Sequence, residues 1–364
     1  MGFRINPYDK CVANKMIDGH QCTIVWYVDD VNVSHKDKSV VQDVIKNIEG
    51  YFGDLVISEG PTHDYLGMNI TIRDDRRIEI EMKNQILEAI NMYGNLPVEA
   101  VSSPASGHLF TVRDNVRKLS EKDANLFHSI TAKLLYIEKR ARPDIETAIS
   151  FLTTRVQQPD EDDWKKLRRV LLFLQCTIDD VRIIGCDNLS SIFTWIDASF
   201  AIHPNMRSHT GGIMSLGWGI LHGRSSKQKL NTKSSTEAEL VGASDYVPYN
   251  LWLINFMSAQ GYKIKHNIVY QDNESTIKML RNGRNSCTGN SRHISIRYFF
   301  VKDRIDKGEL TVEYCPTYQM LADFYTKPLK GRLFKLFRSV IMGHSHISTL
   351  QSITPSASKE RVEK

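Results

Sequence analysis

Four carboxylates in the second half of the chain, Asp197, Glu239, Asp272 and Asp323, fall where an apolar run stops or a helical pattern begins. As a group they suit a hard cation. Mg²⁺ takes oxygen ligands in octahedral geometry and keeps waters, and two such ions roughly 4 Å apart activate water and stabilise a departing 3′ oxygen. Carboxylates that close without a cation would repel, so their convergence implies metal. A further pair, Asp29 and Asp30 in WYVDD, reads by itself as a turn. Lys227, Lys229 and Lys233 precede Glu239, and Arg292, Arg297 and Lys302 follow Asp272. Such bases either solubilise the surface or contact phosphates, giving affinity without sequence preference. His293 beside Arg292 reads as a helix-start histidine facing solvent or a phosphate.

The elements that must position these residues follow from periodicity. After Asp187-Asn188 come IFTWID, GGIMSLG and GILHGRSS, three short strands that place Asp197 at the end of the first. A helix from about Ser235 carries Glu239 in its first turns, with Leu240, Ala243, Val247, Leu251 and Ile254 on one face and Pro248 as an expected kink. Strand NIVYQD ends at Asp272, helices start near Glu274 and His293, strand LTVEYC follows, and a last helix contains Asp323. The order is βββ-α-β-α-α-β-α.

Upstream, CTIVWYVDDVNVS predicts a hairpin with Asp29 and Asp30 at its tip, followed by a helix over Val40–Tyr51 and a strand pair at YLGMNITI and RIEIEM. Residues 97–118 lack apolar periodicity and read as a linker, and Asp123 to Gln175 is helical. The expected division is therefore 1–100, 101–188, 189–330, and a tail over 331–364, rich in Ser and His after Arg338, without structure of its own.

The chain of 364 residues is long enough for two or three cores, and 41% apolar with 24% charged residues is an ordinary globular composition. The net charge of +5 is concentrated towards Arg281–Arg338, where bases outnumber acids. Six cysteines without CxxC or Cys/His spacing exclude a zinc module and read as reduced thiols of an intracellular protein, cytoplasm and nucleus being indistinguishable. The N-terminus lacks a signal-peptide core, and no apolar run is long enough to span a bilayer, so no membrane partner is expected.

The strings WIDASF, SSKQKLNTKSSTEAEL, VYQDNESTIKML, RHISIRYFFVKDRI and VEYCPTYQMLADFYTKPL, in this order, closely resemble the RNase H domain of copia-type retrotransposon polyproteins. INPYDKCVANK, WYVDD, YLGMNI and SITAKLLYIEKRARPDIETAISFL resemble the polymerase of the same family. The resemblance implies an α/β (α+β) fold: an RNase H-like mixed five-stranded sheet flanked by helices, preceded by a partial reverse transcriptase palm and thumb (1–100) and a helical connection (101–188). It implies cleavage of the RNA strand of an RNA/DNA hybrid with two Mg²⁺ ions, or Mn²⁺, held by Asp197, Glu239, Asp272 and Asp323, and other polyprotein products as further partners. Glu239 is preferred to Glu237 because the family's metal-binding Glu precedes an apolar residue, here Leu240; Glu237 stays as the alternative. Asp29 and Asp30 correspond to the polymerase metal hairpin, and YLGM to the primer-gripping hairpin. The family's fingers and first palm motif, with a third catalytic Asp, lie upstream of YVDD and outside this sequence, so a truncated polyprotein without DNA synthesis is expected. One departure from the wider RNase H pattern is that Pro316–Ala322, the loop before the last Asp, contains no His; His293 is a candidate substitute beside its reading as a helix-start residue. Two other readings remain: a catalytically inactive hybrid-binding remnant, and transposase- or integrase-like chemistry on the same fold, against which the motif set and the attached palm speak.

Overall fold

A computed structural model describes residues 1–283 and 295–353; the predicted phosphate contacts Arg292 and His293 lie outside the described residues. The chain opens with β1 (Arg4–Asn6), β2 (Asp9–Ile17), β3 (His20–Tyr27) and β4 (Asp30–Ser34), a four-stranded antiparallel meander. Asp18-Gly19 turns β2 into β3 with φ of 49° and 77°, the positive values that a tight two-residue hairpin turn requires and that Gly and Asp tolerate best. Helix α1 (Lys38–Phe52), capped by the Asp37 side chain on the Ser39 amide, covers a small core of Cys22, Val40 and Val44. The first two strands, 4–17, mix Arg4, Asn6, Asp9, Lys10, Asn14 and Lys15 with apolar residues in no strict alternation, and they and the Asn6-Pro7 turn between them went unread in the sequence.

A second sheet begins with β5 (Thr62–Tyr65), β6 (Met68–Ile72) and β7 (Ile78–Glu81), with Leu66-Gly67 turning YLGM into a hairpin. Helices α2 (Lys83–Tyr93), α3 (Glu121–Arg140), α4 (Glu146–Thr153) and α5 (Glu161–Cys176) then pack together. Local signals set their ends: Ser120 caps α3, and Asp160 with Asp163 forms a reciprocal capping box on α5. Their apolar faces meet in Phe127, Ile130, Leu134, Ile137, Leu167, Val170, Leu171 and Leu174, all fully buried. Strand β8 (Arg182–Cys186) returns to pair with β7, Ile184 opposite Ile78.

The third sheet is built from β9 (Ser191–Ser199), β10 (His209–Ser215), β12 (His222–Lys227), β13 (His266–Gln271) and β14 (Thr311–Tyr314), with the two-residue β11 (Gly217–Trp218) leaving to cap the second sheet beside β8. Spatial order is β12-β10-β9-β13-β14, antiparallel over the first three and parallel over the last three. This is the mixed five-stranded sheet expected, in an α+β chain. Helices α6 (Ser235–Ala259), α7 (Glu274–Asn282) and α8 (Ser295–Asp306) follow, and α6 runs unbroken through Pro248. Short α9 (Asp323–Thr326) and α10 (Gly331–Ile341) close the fold. Gly212 in β10 is obligatory for packing: a Cβ there would lie 2.1 Å from the Tyr246 ring of α6.

Two expectations need correction. The segment from 331 is ordered as far as 353: α10 buries Leu333, Phe334, Phe337, Val340 and Ile341 along one stripe, a helical period hidden by the Ser- and His-rich composition that follows it. Nor does packing stop at residue 188. One continuous core joins α3–α5 to Trp195 of β9, Ile213 of β10, Tyr325 and α10, while α6 packs over Ile192, Ile196 and Val269 to form the other. Arg142 and Asp144, both buried, form a bidentate pair at 2.9 Å, and Arg338 of α10 reaches the same Asp144 at 2.8 Å. Burial would push the Asp144 carboxyl up, but the two guanidinium groups hold it down at about 2. Among the described residues no helix is long and apolar enough to cross a membrane.

Candidate active site

Strands β9 and β13 are parallel neighbours with Trp195 level with Tyr270, and the two rings stack at 5.2 Å. Side chains on a strand alternate, so two residues further Asp197 and Asp272 emerge on the same face at the same level. Asp197 is still within β9, opposite Gly211 of β10, whereas Asp272 is the first residue after β13. The third acid arrives from α6. Ser234 caps that helix on the Glu237 amide, and Glu239, one turn in, is directed at the strand ends. Oxygen atoms of Asp197, Glu239 and Asp272 all lie within 4.8 Å of one another.

These acids are costly to bring together. Asp197 is 2% and Glu239 5% exposed. Burial, then Asp197 and Asp272, push the Glu239 carboxyl well above the usual carboxylate range; burial and Asp197 likewise raise Asp272. The chain offers partial compensation. Thr326 donates to Asp197 Oδ2, Thr317 Oγ1 donates to Asp272 Oδ2 at 2.9 Å, and Gln271 Nε2 donates to Glu239 Oε2 at 3.3 Å. An all-carboxylate donor set of this spacing suits Mg²⁺ or Mn²⁺, which prefer hard oxygen ligands.

Glu237 and Glu239 differ in what they face: Glu237 Oε2 accepts from the Lys233 amide at 2.7 Å and belongs to the helix cap, while Glu239 faces the other acids. Asp323, fully buried at the start of α9, is not in the group of three; its Oδ1 is 2.5 Å from Lys327 Nζ, which stands 3.4 Å from Asp197 Oδ2. The fourth acid thus meets the cluster through a lysine. Lys229 and Lys233 are exposed and Lys227 half-buried on the segment leading into α6. Arg297 and Lys302 are instead engaged by acids of the chain, Asp245 at 2.5 Å and Asp306 at 2.7 Å. Lys327, Thr326, Thr317 and Gln271 were missed in the sequence, although all four lie inside or beside the motif strings; a side chain's hydrogen-bond target is not encoded by its type.

The WYVDD pair is different. Tyr27 pairs with Asp30, so the hairpin tip is Val28-Asp29, and Asp30 opens β4. Both aspartates are exposed, and among the described residues no third acid converges on them. Val28 has φ of 53°, rare for a β-branched residue.

No protein-family model matches the chain, and no solved structure matches it. Curated relatives do. The chain is 26% identical over 347 residues to the retrovirus-related Pol polyprotein from transposon TNT 1-94 of Nicotiana tabacum, covering 93% of this chain and 26% of the relative. It is 26% identical over 314 residues to the Pol polyprotein from transposon RE2 of Arabidopsis thaliana, covering 85% and 21%. Against the transposon Ty1-LR3 Gag-Pol polyprotein of Saccharomyces cerevisiae it is 24% identical over 337 residues, covering 87% and 19%. The chain spans about a quarter or less of the length of these relatives.

Proposed function

We propose that this segment, homologous to copia-type retrotransposon Pol polyproteins, is a ribonuclease H that cleaves the RNA strand of an RNA/DNA hybrid. The observation that carries the reading is the convergence of Asp197, Glu239 and Asp272 from two adjacent strand ends and one helix. Bound divalent cations would supply activation of water and neutralisation of charge at the departing 3′ oxygen. The residues of the chain do the rest. Asp197, Glu239 and Asp272 would hold the cations; Thr326, Thr317 and Gln271 fix the carboxylates in orientation, so little reorganisation is needed when a phosphate arrives. Lys227, Lys229 and Lys233, on the segment that leads into the helix bearing Glu239, would contact phosphates of the hybrid. RNA would be told from DNA through its 2′-hydroxyls near the acids.

The test uses the full chain, because the core shared with α3–α5 and α10 leaves no separable nuclease fragment. A hybrid labelled on the RNA strand should be cut with Mg²⁺ and not with chelator, and duplex DNA should be untouched. Tight hybrid binding with no cleavage in Mg²⁺ or Mn²⁺ would sink the nuclease reading and favour a hybrid-binding remnant.

A further inference from the structure

Asp323 and Asp197 are both buried and both point at one ammonium group, Lys327 Nζ, at 2.5 and 3.4 Å. Lys327 is the residue after α9, so its side chain folds back over one turn to the acid that begins that helix. Thr326, its neighbour, donates to Asp197 Oδ2 as well. Within the group of three, Lys327 touches Asp197 at 3.4 Å and its charge also acts on Asp272, while Glu239 accepts from the neutral amide of Gln271. The two halves of the acid site thus differ in degree: Lys327 sits closest to Asp323 and reaches the group of three only from its Asp197 side.

From this we infer that Lys327 is a built-in monovalent cation occupying the position between Asp197 and Asp323, and that a second divalent ion is admitted there only when Lys327 withdraws. Its side chain is 35% exposed and carried on a flexible four-carbon stem, so withdrawal to solvent needs rotamer changes and no backbone movement. The first ion binds Asp197, Glu239 and Asp272 against only the edge of that competition, since Lys327 Nζ lies nearer Asp323, at 2.5 Å, than Asp197, at 3.4 Å. Lys327 is then a positioning residue that sets the concentration at which the second ion enters. The inference rests on the metal-dependent reading above and adds an order of filling to it.

The test counts Mn²⁺ bound to the full chain by electron paramagnetic resonance of the free ion, with no nucleic acid present. Wild type should bind one ion well and a second far more weakly. Lys327→Met, which keeps the stem and removes the charge, should bind the second ion at least about tenfold more tightly, because a unit charge in contact with two carboxylates is removed. Lys327→Arg should keep second-ion binding weak. A second measurement needs no variant: acylation of Lys327 in wild type, followed by mass spectrometry, should rise as Mn²⁺ fills the weak site and stay flat while it fills the strong one. Unchanged or weaker second-ion binding in a folded Lys327→Met, or acylation that does not respond to Mn²⁺, overturns the inference and leaves the nuclease reading intact. A wild-type chain that binds no Mn²⁺ at millimolar concentration overturns both.

Discussion

The chain carries two acidic motifs, and they are built in opposite ways. Asp197, Glu239 and Asp272 come from two strands and a helix spread over 76 residues of sequence, are mostly buried, and are aligned by parallel strand register. Asp29 and Asp30 are sequence neighbours, one at a hairpin tip and the next opening β4, both exposed, over a core of three buried residues. Convergence that is expensive to maintain points to a ligand that repays it; adjacency in a turn costs almost nothing and so indicates little by itself.

The largest effect should come from chemistry. Asp272→Asn keeps side-chain volume and removes one anionic ligand, and should lower Mg²⁺-dependent hybrid cleavage by about 10³-fold or more while hybrid binding stays or tightens slightly. Asp30→Asn should leave cleavage within about twofold of wild type, being a surface change on a different sheet. Equal losses from both would erase the contrast. The same contrast predicts no primer extension on a primed RNA template, since no third acid among the described residues joins Asp29 and Asp30; metal-dependent extension would show the exposed pair to be a working polymerase site.

Stability should separate the regions next. Arg142→Met strands the buried Asp144 with Arg338 as its remaining guanidinium partner and should cost about 3–5 kcal/mol in denaturant melts. In hydrogen exchange the amides of β1–β4 should open well before those of α3, α5 and β9, because so few apolar side chains are buried beneath the first sheet. Uniform protection across both regions would mean that the contacts of Asn6 with Phe256 and of Trp252 with Tyr8 tie the first sheet to α6 more firmly than its own core suggests.

Acid should loosen the same C-terminal region. Burial holds His203 down at about 4 and His209 at about 3; the two rings are bonded to each other at 3.0 Å, and His209 is also bonded to Ser225 Oγ at 2.7 Å. A histidine depressed in the native state protonates more readily when unfolded, so its contribution is complete above about pH 6.5 and is lost as pH falls towards 4. The pair should lose about 2 kcal/mol by pH 5 relative to His203→Gln, whose profile should be flatter over that window; identical slopes would show that the rings stay neutral for another reason.

Much of this was legible in the sequence, for identifiable reasons. Strands β9, β10 and β13 have short apolar runs bounded by turn residues, and three of the four acids sit where those runs or a cap place them. What escaped was set by tertiary context. The stripe of α10, Leu333, Phe334, Phe337, Val340 and Ile341, has a helical period that the Ser- and His-rich composition after it hid, and Asp144, the partner of Arg338, lies 194 residues earlier. Asp323 looked equivalent to the other acids because residue type and order say nothing about Lys327 four residues on. Strand β8 pairs with β7 across about a hundred residues, a contact that no local pattern announces.

The smallest predicted effect is the sharpest test of why the acids are together. Burial and two neighbouring carboxylates raise Glu239 in the native state, so at neutral pH its charge opposes folding. Glu239→Gln keeps the volume and removes that charge. In the presence of chelator the variant should therefore be more stable than wild type by about 1 kcal/mol at pH 7. The sign with pH follows from the raised value: wild type recovers as pH falls and Glu239 protonates in the native state, so the difference should vanish below the unfolded value near 4.5. Adding Mg²⁺ should reverse the order, because an ion bound only by the native state stabilises wild type in proportion to the logarithm of its concentration and gains little hold on the amide. Asp30→Asn should melt within about 0.5 kcal/mol of wild type with or without the ion. If Glu239→Gln is instead less stable in chelator, then Gln271 and the Ala198 amide already satisfy the carboxylate, and the three acids are a structural network whose convergence needs no cation.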